Sequence, residues 1–231
     1  MAGIFENYRC EHHPDTGTRL GLAKAYLKGE VNADLAQRVL RRRDRDMWLE
    51  AESSTLAGVL IEPLVKACPK KKFILTIRDP YSWVDSWIDH NINLPPTKAS
   101  GFAELDKIRL RVDDFPPTKH DSPLIQRGLP SLACYFQLWG NHNSRVLQAV
   151  PEERLLVVRT QEIAARIPEM AAWVGAPPET LRSDRAWLFV APTKHRVLAT
   201  LDAAYVQDTA ERFCGTLMRR YFSDTFFPEA G

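Results

Sequence analysis

Apolar positions along the chain change period from block to block. Phe73-Ile74-Leu75-Thr76-Ile77 is a short unbroken run of apolar and β-branched residues, the pattern of a central strand covered on both faces. Arg154 to Val158 reads as another buried strand, and Met47 to Ala51 as a further one. Between them the spacing is helical. Thr18 to Lys28 carries Leu20, Ala23 and Leu27 and stops at Gly29, while Asn32 can cap a second helix through Leu35, Val39 and Leu40. Leu56 to Ala67 predicts an amphipathic helix, and Thr160 to Val174 one that follows the Arg154–Val158 strand. Leu132, Tyr135, Phe136, Leu138 and Trp139 form an aromatic-rich helical stripe within Leu124–Val150, and Leu198 to Tyr221 predicts a long closing helix. Residues 4–9 suit a short strand or a helix end equally, and Cys10 to Asp15 reads as a polar turn. The order strand, helix, strand, helix predicts an α/β fold with a mostly parallel sheet and right-handed crossovers.

The strand at Phe73–Ile77 ends on Arg78, and a helix begins at once. Asp79 is a good N-cap, and Pro80 fits the first helical position, where its missing N–H costs nothing. That puts Arg78 at the carboxyl end of a strand beside a helix N-terminus, where open α/β sheets bind ligands and where phosphate is favoured. Ser86 lies two helical turns beyond Asp79 on about the same side. A guanidinium fork and a hydroxyl so placed can hold one phosphate between them. The same residues also read as an Arg–Asp surface pair followed by an ordinary helix serine. Glu52, Ser53 and Ser54 would lie at the end of a neighbouring strand, as candidate pocket residues or, for the serines, as a helix cap.

Composition narrows the function classes. The chain has 231 residues, 45% of them hydrophobic, enough for one good core over residues 1–231. A net charge of +2 provides no global field for nucleic acid or a membrane, and an anionic nucleotide needs only a local basic pocket. No apolar run approaches the ~20 residues of a membrane span, and the first residues lack the pattern of a signal peptide. Cys10, Cys68, Cys134 and Cys214 are scattered without metal-like pairing, which points to isolated thiols in a reducing cytoplasm and no metal. Glu11, His12 and His13 can supply a general base or simply a solvated loop. Residues 94–123, with Pro95-Pro96 and Pro116-Pro117 around a helical stretch from about Phe102 to Val112, suit a substrate-side loop or lid, or an irregular surface loop.

Ile77-Arg78-Asp79-Pro80 with Ser86 resembles the 3′-phosphate-binding segment of sulfotransferases that use 3′-phosphoadenosine-5′-phosphosulfate (PAPS). Trp48-Leu49-Glu50-Ala51-Glu52-Ser53-Ser54 before it and Arg154-Leu155-Leu156-Val157-Val158-Arg159 after it follow the family's order. Arg159-Thr160-Gln161-Glu162-Ile163 is a looser match to an Arg-Tyr-Glu-Asp-Leu-like sequence. The resemblance implies a three-layer sandwich related to the P-loop nucleotide kinases, with PAPS as co-substrate and no metal. The acceptor would be a hydroxyl on a small molecule or glycan. By position it assigns Arg78 and Ser86, with the late basic residues Lys194, His195 and Arg196, to the cofactor, and Glu52 and Ser53 to the substrate side. Its His-Glu-Pro-like segment aligns with His12-His13-Pro14, making His12 the leading base, with His13 and Glu11 behind it.

The family also begins with an apolar strand and a Gly-x-x-Arg/Lys-Ser-Gly-Thr-Thr-like loop that grips the 5′-phosphosulfate through backbone N–H groups. No such segment is found here. Pro14-Asp15-Thr16-Gly17-Thr18-Arg19-Leu20 imitates it faintly, with an aspartate where a base is wanted. The expectation is therefore an N-terminally truncated sulfotransferase fold. A start placed too late, a degenerate member, and a fold completed by a partner or a second copy in a homo-oligomer are the competing accounts. A catalytically inactive binding or scaffolding protein is the alternative function.

Overall fold

The computed structural model describes residues 2–95, 101–182, 184 and 193–225. They fall into two compact units. The first comprises Met1–Ile77 with Asn143–Phe189, and the second Arg78–His142 with Val190–Gly231.

In the first unit a 3₁₀ turn, Ala2–Phe5, leads to strand β1, Cys10–His12, and helix α1, Thr16–Leu27. Gly29, at φ 73°, closes α1 with its N–H on Tyr26 O (3.1 Å), while Glu30 N reaches Ala25 O (2.9 Å), the bond pattern that satisfies a helix's last carbonyls. Helix α2, Ala33–Met47, is capped as expected by Asn32, whose side chain accepts from Leu35 N at 2.9 Å. Strand β2 is Ala51–Ser53, helix α3 Thr55–Val59, helix α4 Ile61–Ala67 and strand β3 Phe73–Ile77.

Three sequence expectations shift here. The polar stretch from Cys10 holds a strand, because β1 is defined by its parallel hydrogen bonds to β2 rather than by amphipathic alternation. The strand expected at Met47–Ala51 lies further on: α2 continues to Met47, Trp48 turns the chain at φ 47°, and pairing begins at Ala51. The helix expected over Leu56–Ala67 is broken at Leu60 into α3 and α4.

Four strands occur among the described residues, in two parallel pairs that no ladder joins. Cys10 faces Ala51 in the first pair; in the second, Phe73 of β3 faces Leu155 of strand β4, Leu155–Arg159. Parallel pairing thus agrees with the expected α/β class, although the strands do not form one continuous ladder. The β3–β4 pair is buried on both faces, as its unbroken apolar run requires. Ile74, Leu156 and Val158 pack with Ile163 and with Ile167, Met170 and Ala171 of a later helix, Ile167–Val174. Phe73, Leu75, Leu155 and Val157 pack on the other side with Ile61 and Val65 of α4 and with Val146 and Val150. Alternate residues therefore serve opposite layers, the period-two rule at work. Arg145 secures α4 by a bidentate pair with Glu62, Nε to Oε1 at 2.9 Å and Nη2 to Oε2 at 2.8 Å.

The second unit opens with helix α5, Pro80–Asn93, followed by α6, Phe102–Leu110, and α7, Ser122–Ile125. Helix α8, Leu132–Ala149, passes into the first unit at Asn143, α9 is the Ile167–Val174 helix named above, and α10 is Ala203–Tyr221. The aromatic stripe of α8 is core: Tyr135, Phe136 and Trp139 are fully buried, and Tyr81 of α5 meets Phe136 edge-on, with ring centroids 6.0 Å apart. Gly140 permits close approach of α10, since a Cβ there would lie 2.3 Å from Phe213 O.

The described part of residues 94–123 is pinned from within; Pro96 to Ser100 lie outside it. Leu105 and Leu110 are buried. The carboxylate of Asp121, 0% exposed, accepts from Thr118 N (2.7 Å), Thr118 Oγ1 (2.9 Å), Leu132 N (2.8 Å) and Tyr205 OH (2.9 Å). The closing helix begins later than expected: Asp202 caps α10 by accepting from Tyr205 N (2.8 Å), and Leu198–Thr200 is a separate 3₁₀ turn. No helix among the described residues is long and apolar enough to cross a membrane.

Candidate functional site

Arg78 follows β3 directly and opens the second unit. Asp79 caps α5 as the sequence predicts, Oδ1 accepting from Ser82 N at 2.9 Å, with Pro80 at the first helical position. Ser82 donates its hydroxyl to Asp79 Oδ2 and accepts from Arg78 Nε at 2.8 Å. The main chain is held as well: Trp139, 1% exposed, donates Nε1–H to Arg78 O at 2.9 Å. Arg78 is thus fixed at both backbone and side chain, and a guanidinium retains two further nitrogens beyond the engaged Nε. Ser86 is half-buried on α5, one turn past Ser82.

Ser82, Asp85, Ser86, Asp89 and Asn93 stand at positions i, i+3, i+4, i+7 and i+11, a single polar stripe along α5. The late basic segment meets the far end of this stripe; its first residues, Ala191 and Pro192, lie outside the described set. Asp89, 0% exposed, accepts from His195 N at 2.8 Å and pairs with Lys194 Nζ at 3.4 Å. Asn93 donates to Thr193 O at 3.0 Å. The His195 ring presents a buried Nε2 with no hydrogen-bond partner among the described residues, and Arg196 holds a left-handed backbone at φ 50°. Burial, and then the Asp89 charge, push the Asp85 carboxyl above its ordinary range; Lys194, Arg78 and the Leu198 N–H oppose the shift. Asp85 is therefore within electrostatic reach of both cationic groups.

In the first unit β1 runs into a tight loop before α1. A strand–loop–helix arrangement does therefore surround Pro14–Leu20, with a polar strand in place of an apolar one. His13 and Asp15 both take positive φ, 53° and 51°, conformations that disfavour non-glycine residues and cluster at functional loops. His12 is exposed, and partial burial of its ring lowers its pKa below the ordinary value. His13 is half-buried with Nδ1 3.1 Å from Ser54 Oγ, and the two imidazoles meet edge-on at 4.4 Å. Ser54 also caps α3 through Leu56 N (3.1 Å). Glu11 is exposed, and Ser53, opposite His12 in the ladder, is half-buried.

Both carboxylate oxygens of Glu52 are engaged by arginines. Its Oε1 accepts from Arg19 Nη1 at 2.7 Å, and Arg43 Nη1 lies 2.8 Å from Oε2. Arg19 is 1% exposed, and Arg43 also donates to Pro14 O (3.4 Å) while lying 3.9 Å from Asp15. From sequence, Arg19 figures only within the Pro14–Leu20 stretch, and neither it nor Arg43 is given Glu52 as a partner. The sequence reading passed over Ser82, Asp85 and Asp89, although their spacing on a helix beginning at Pro80 was available as a signal. No group of three or more His, Cys, Asp or Glu able to hold a metal occurs among the described residues.

Each sequence-predicted group therefore lies within one unit: Glu11, His12, His13, Glu52 and Ser53 in the first, Arg78, Ser86, Lys194, His195 and Arg196 in the second. Comparison with curated proteins finds no match. Residues 25–164 match the family described as a sulfotransferase domain. That span includes Glu52, Arg78 and Ser86 and excludes Glu11–His13 and Lys194–Arg196. The match covers more than half of the 231 residues, and the chain belongs to the sulfotransferase family.

Proposed function

We propose that the protein binds PAPS by its 3′-phosphate and catalyses sulfuryl transfer to a hydroxyl of a small-molecule or glycan acceptor. The observation that carries this reading is Arg78, anchored by Ser82 and Trp139 at the end of β3 and the start of α5. A cationic fork, a helix N-terminus, the Ser86 hydroxyl and the basic Lys194, His195 and Arg196 would supply donors of the kind a phosphate dianion needs. PAPS, when bound, supplies the activated sulfuryl group. The chain's own part is to hold the anion, neutralise charge as the transfer proceeds, and take the proton from the acceptor hydroxyl. His12 and His13 are the candidate bases. The lowered pKa of His12 favours the neutral imidazole that can accept a proton, and Ser54 orients the ring of His13.

Calorimetry comparing 3′,5′-adenosine bisphosphate with 5′-AMP tests the binding half. A hydrogen-bonded charge contact contributes about 1.5–3 kcal/mol, so Arg78→Met should weaken the bisphosphate roughly tenfold to hundredfold and leave 5′-AMP nearly unchanged. Equal affinity of the wild type for the two nucleotides would overturn the reading. Incubation with PAPS and a panel of hydroxyl acceptors tests the catalytic half. Tight bisphosphate binding without transfer would instead favour a non-catalytic binding protein.

A further inference from the structure

The basic segment from Thr193 lacks regular structure until the 3₁₀ turn at Leu198, yet it is tied to α5 at successive points. Asn93 holds Thr193 O at 3.0 Å, and Asp89 takes His195 N at 2.8 Å and faces Lys194 Nζ at 3.4 Å. Asp89 is the centre of this arrangement because it is fully buried while Lys194 is half-exposed. A buried carboxylate needs compensation by charge or hydrogen bonds, and among the described residues the His195 N–H and Lys194 provide it. The interaction also works in reverse: a long lysine and a loop backbone lose their freedom against a fixed anion.

We infer that Asp89 is a positioning residue that holds Lys194, His195 and Arg196 in the conformation competent to bind an anion, with Asn93 as its support. The inference rests on the reading that these basic residues serve the cofactor's 3′-phosphate, and it deepens that reading by naming what sets them. Placement by a helix suits the task, since a rigid element fixes a charge more closely than a free loop. Arg196, held at φ 50°, has a backbone conformation that other contacts must sustain. The pair Asp85 and Asp89 brings two carboxyls near an anion site, and the repulsion from Asp89 is limited because Lys194 and the His195 N–H occupy it.

The test uses Asp89→Asn, Asp89→Ala and Asn93→Ala in the whole chain, with two readouts. The first is the 3′-phosphate preference, the ratio of 5′-AMP to 3′,5′-adenosine bisphosphate dissociation constants. The second is hydrogen exchange at the His195 amide. Asp89→Ala should lower the preference about tenfold or more, the scale of one lost charge contact, and leave 5′-AMP affinity unchanged. It should also raise exchange at His195 without raising it in the buried part of α5. Asp89→Asn keeps an acceptor for His195 and loses the charge facing Lys194, so the preference should fall while His195 stays protected. If Asp89→Ala fails to fold, Asp89→Asn and Asn93→Ala still decide the matter. A wild type with no 3′-phosphate preference removes the cofactor reading, and the exchange data then judge the restraint on the segment separately. Unchanged exchange in Asp89→Ala, or a freed segment with an unaltered preference, would overturn the inference.

Discussion

Replacing Glu52 by alanine separates a structural carboxylate from a substrate-binding one. Both oxygens of Glu52 are occupied, by Arg19 at 2.7 Å and Arg43 at 2.8 Å. Glu52→Ala removes the acceptor and leaves two guanidiniums facing each other. Breaking a buried ion pair costs about 3–5 kcal/mol, chiefly through the uncompensated charge left behind. Arg19, at 1% exposure, should bear the full penalty. Arg43 and Glu52 retain some solvent contact, at 9% and 23% exposure, and screening there reduces the second contribution. A net loss of roughly 3 kcal/mol follows, or a fall in Tm of about 6–12 °C for a chain of this size. Urea titration followed by circular dichroism measures it. A combined Arg19→Met, Arg43→Met, Glu52→Leu variant should recover most of the loss, because an apolar replacement of a buried charge cluster is often neutral or better. A loss below about 1 kcal/mol in Glu52→Ala, the level of a surface pair, would refute the assignment of Glu52 to the clamp and favour a role toward substrate.

Two further perturbations probe the second unit. Asp121→Ala should destabilise by about 3 kcal/mol or more, since it leaves Leu132 N and the Tyr205 hydroxyl without their buried acceptor; a thermal melt within a degree of wild type would count against that role. Asp85 should show a pH-dependent effect of defined sign. Its folded pKa is raised above the ordinary 3.8 by burial and by Asp89, so the folded state holds the proton more tightly than the unfolded state. Stability then falls as pH rises from 3.8 through the raised value, and the ionised group is a liability at neutral pH. Asp85→Asn should be more stable than wild type at pH 7 and lose that advantage as the pH drops to about 3.8. Denaturation curves at several pH values check this, and an Asp85→Asn variant less stable than wild type at every pH would contradict it.

The elements that local chemistry alone specifies were legible in the chain. Asn32, Asp79 and Pro80 announce helix starts, Gly29 a helix end, and Phe73–Ile77 a strand covered on both faces. These signals are read within a few residues, and the structure places each where local rules put it. Arg78 beside the first turn of α5 was likewise determined by sequence, because a strand end followed at once by Asp-Pro leaves little choice of geometry. Tertiary structure decided the rest. β1 is a polar three-residue strand that exists through its pairing with β2, so no periodicity could reveal it. The Arg19–Glu52–Arg43 clamp joins residues 33 positions apart or fewer in the chain but on three different elements, and the fold alone brings their charges together. The same holds for the basic segment. Its composition marked Lys194, His195 and Arg196 as candidates, whereas their attachment to Asp89 depends on α5 lying against residues more than a hundred positions later. Backbone caps act over one turn of chain and are written locally; charge compensation acts through space, and only a folded chain defines the partners.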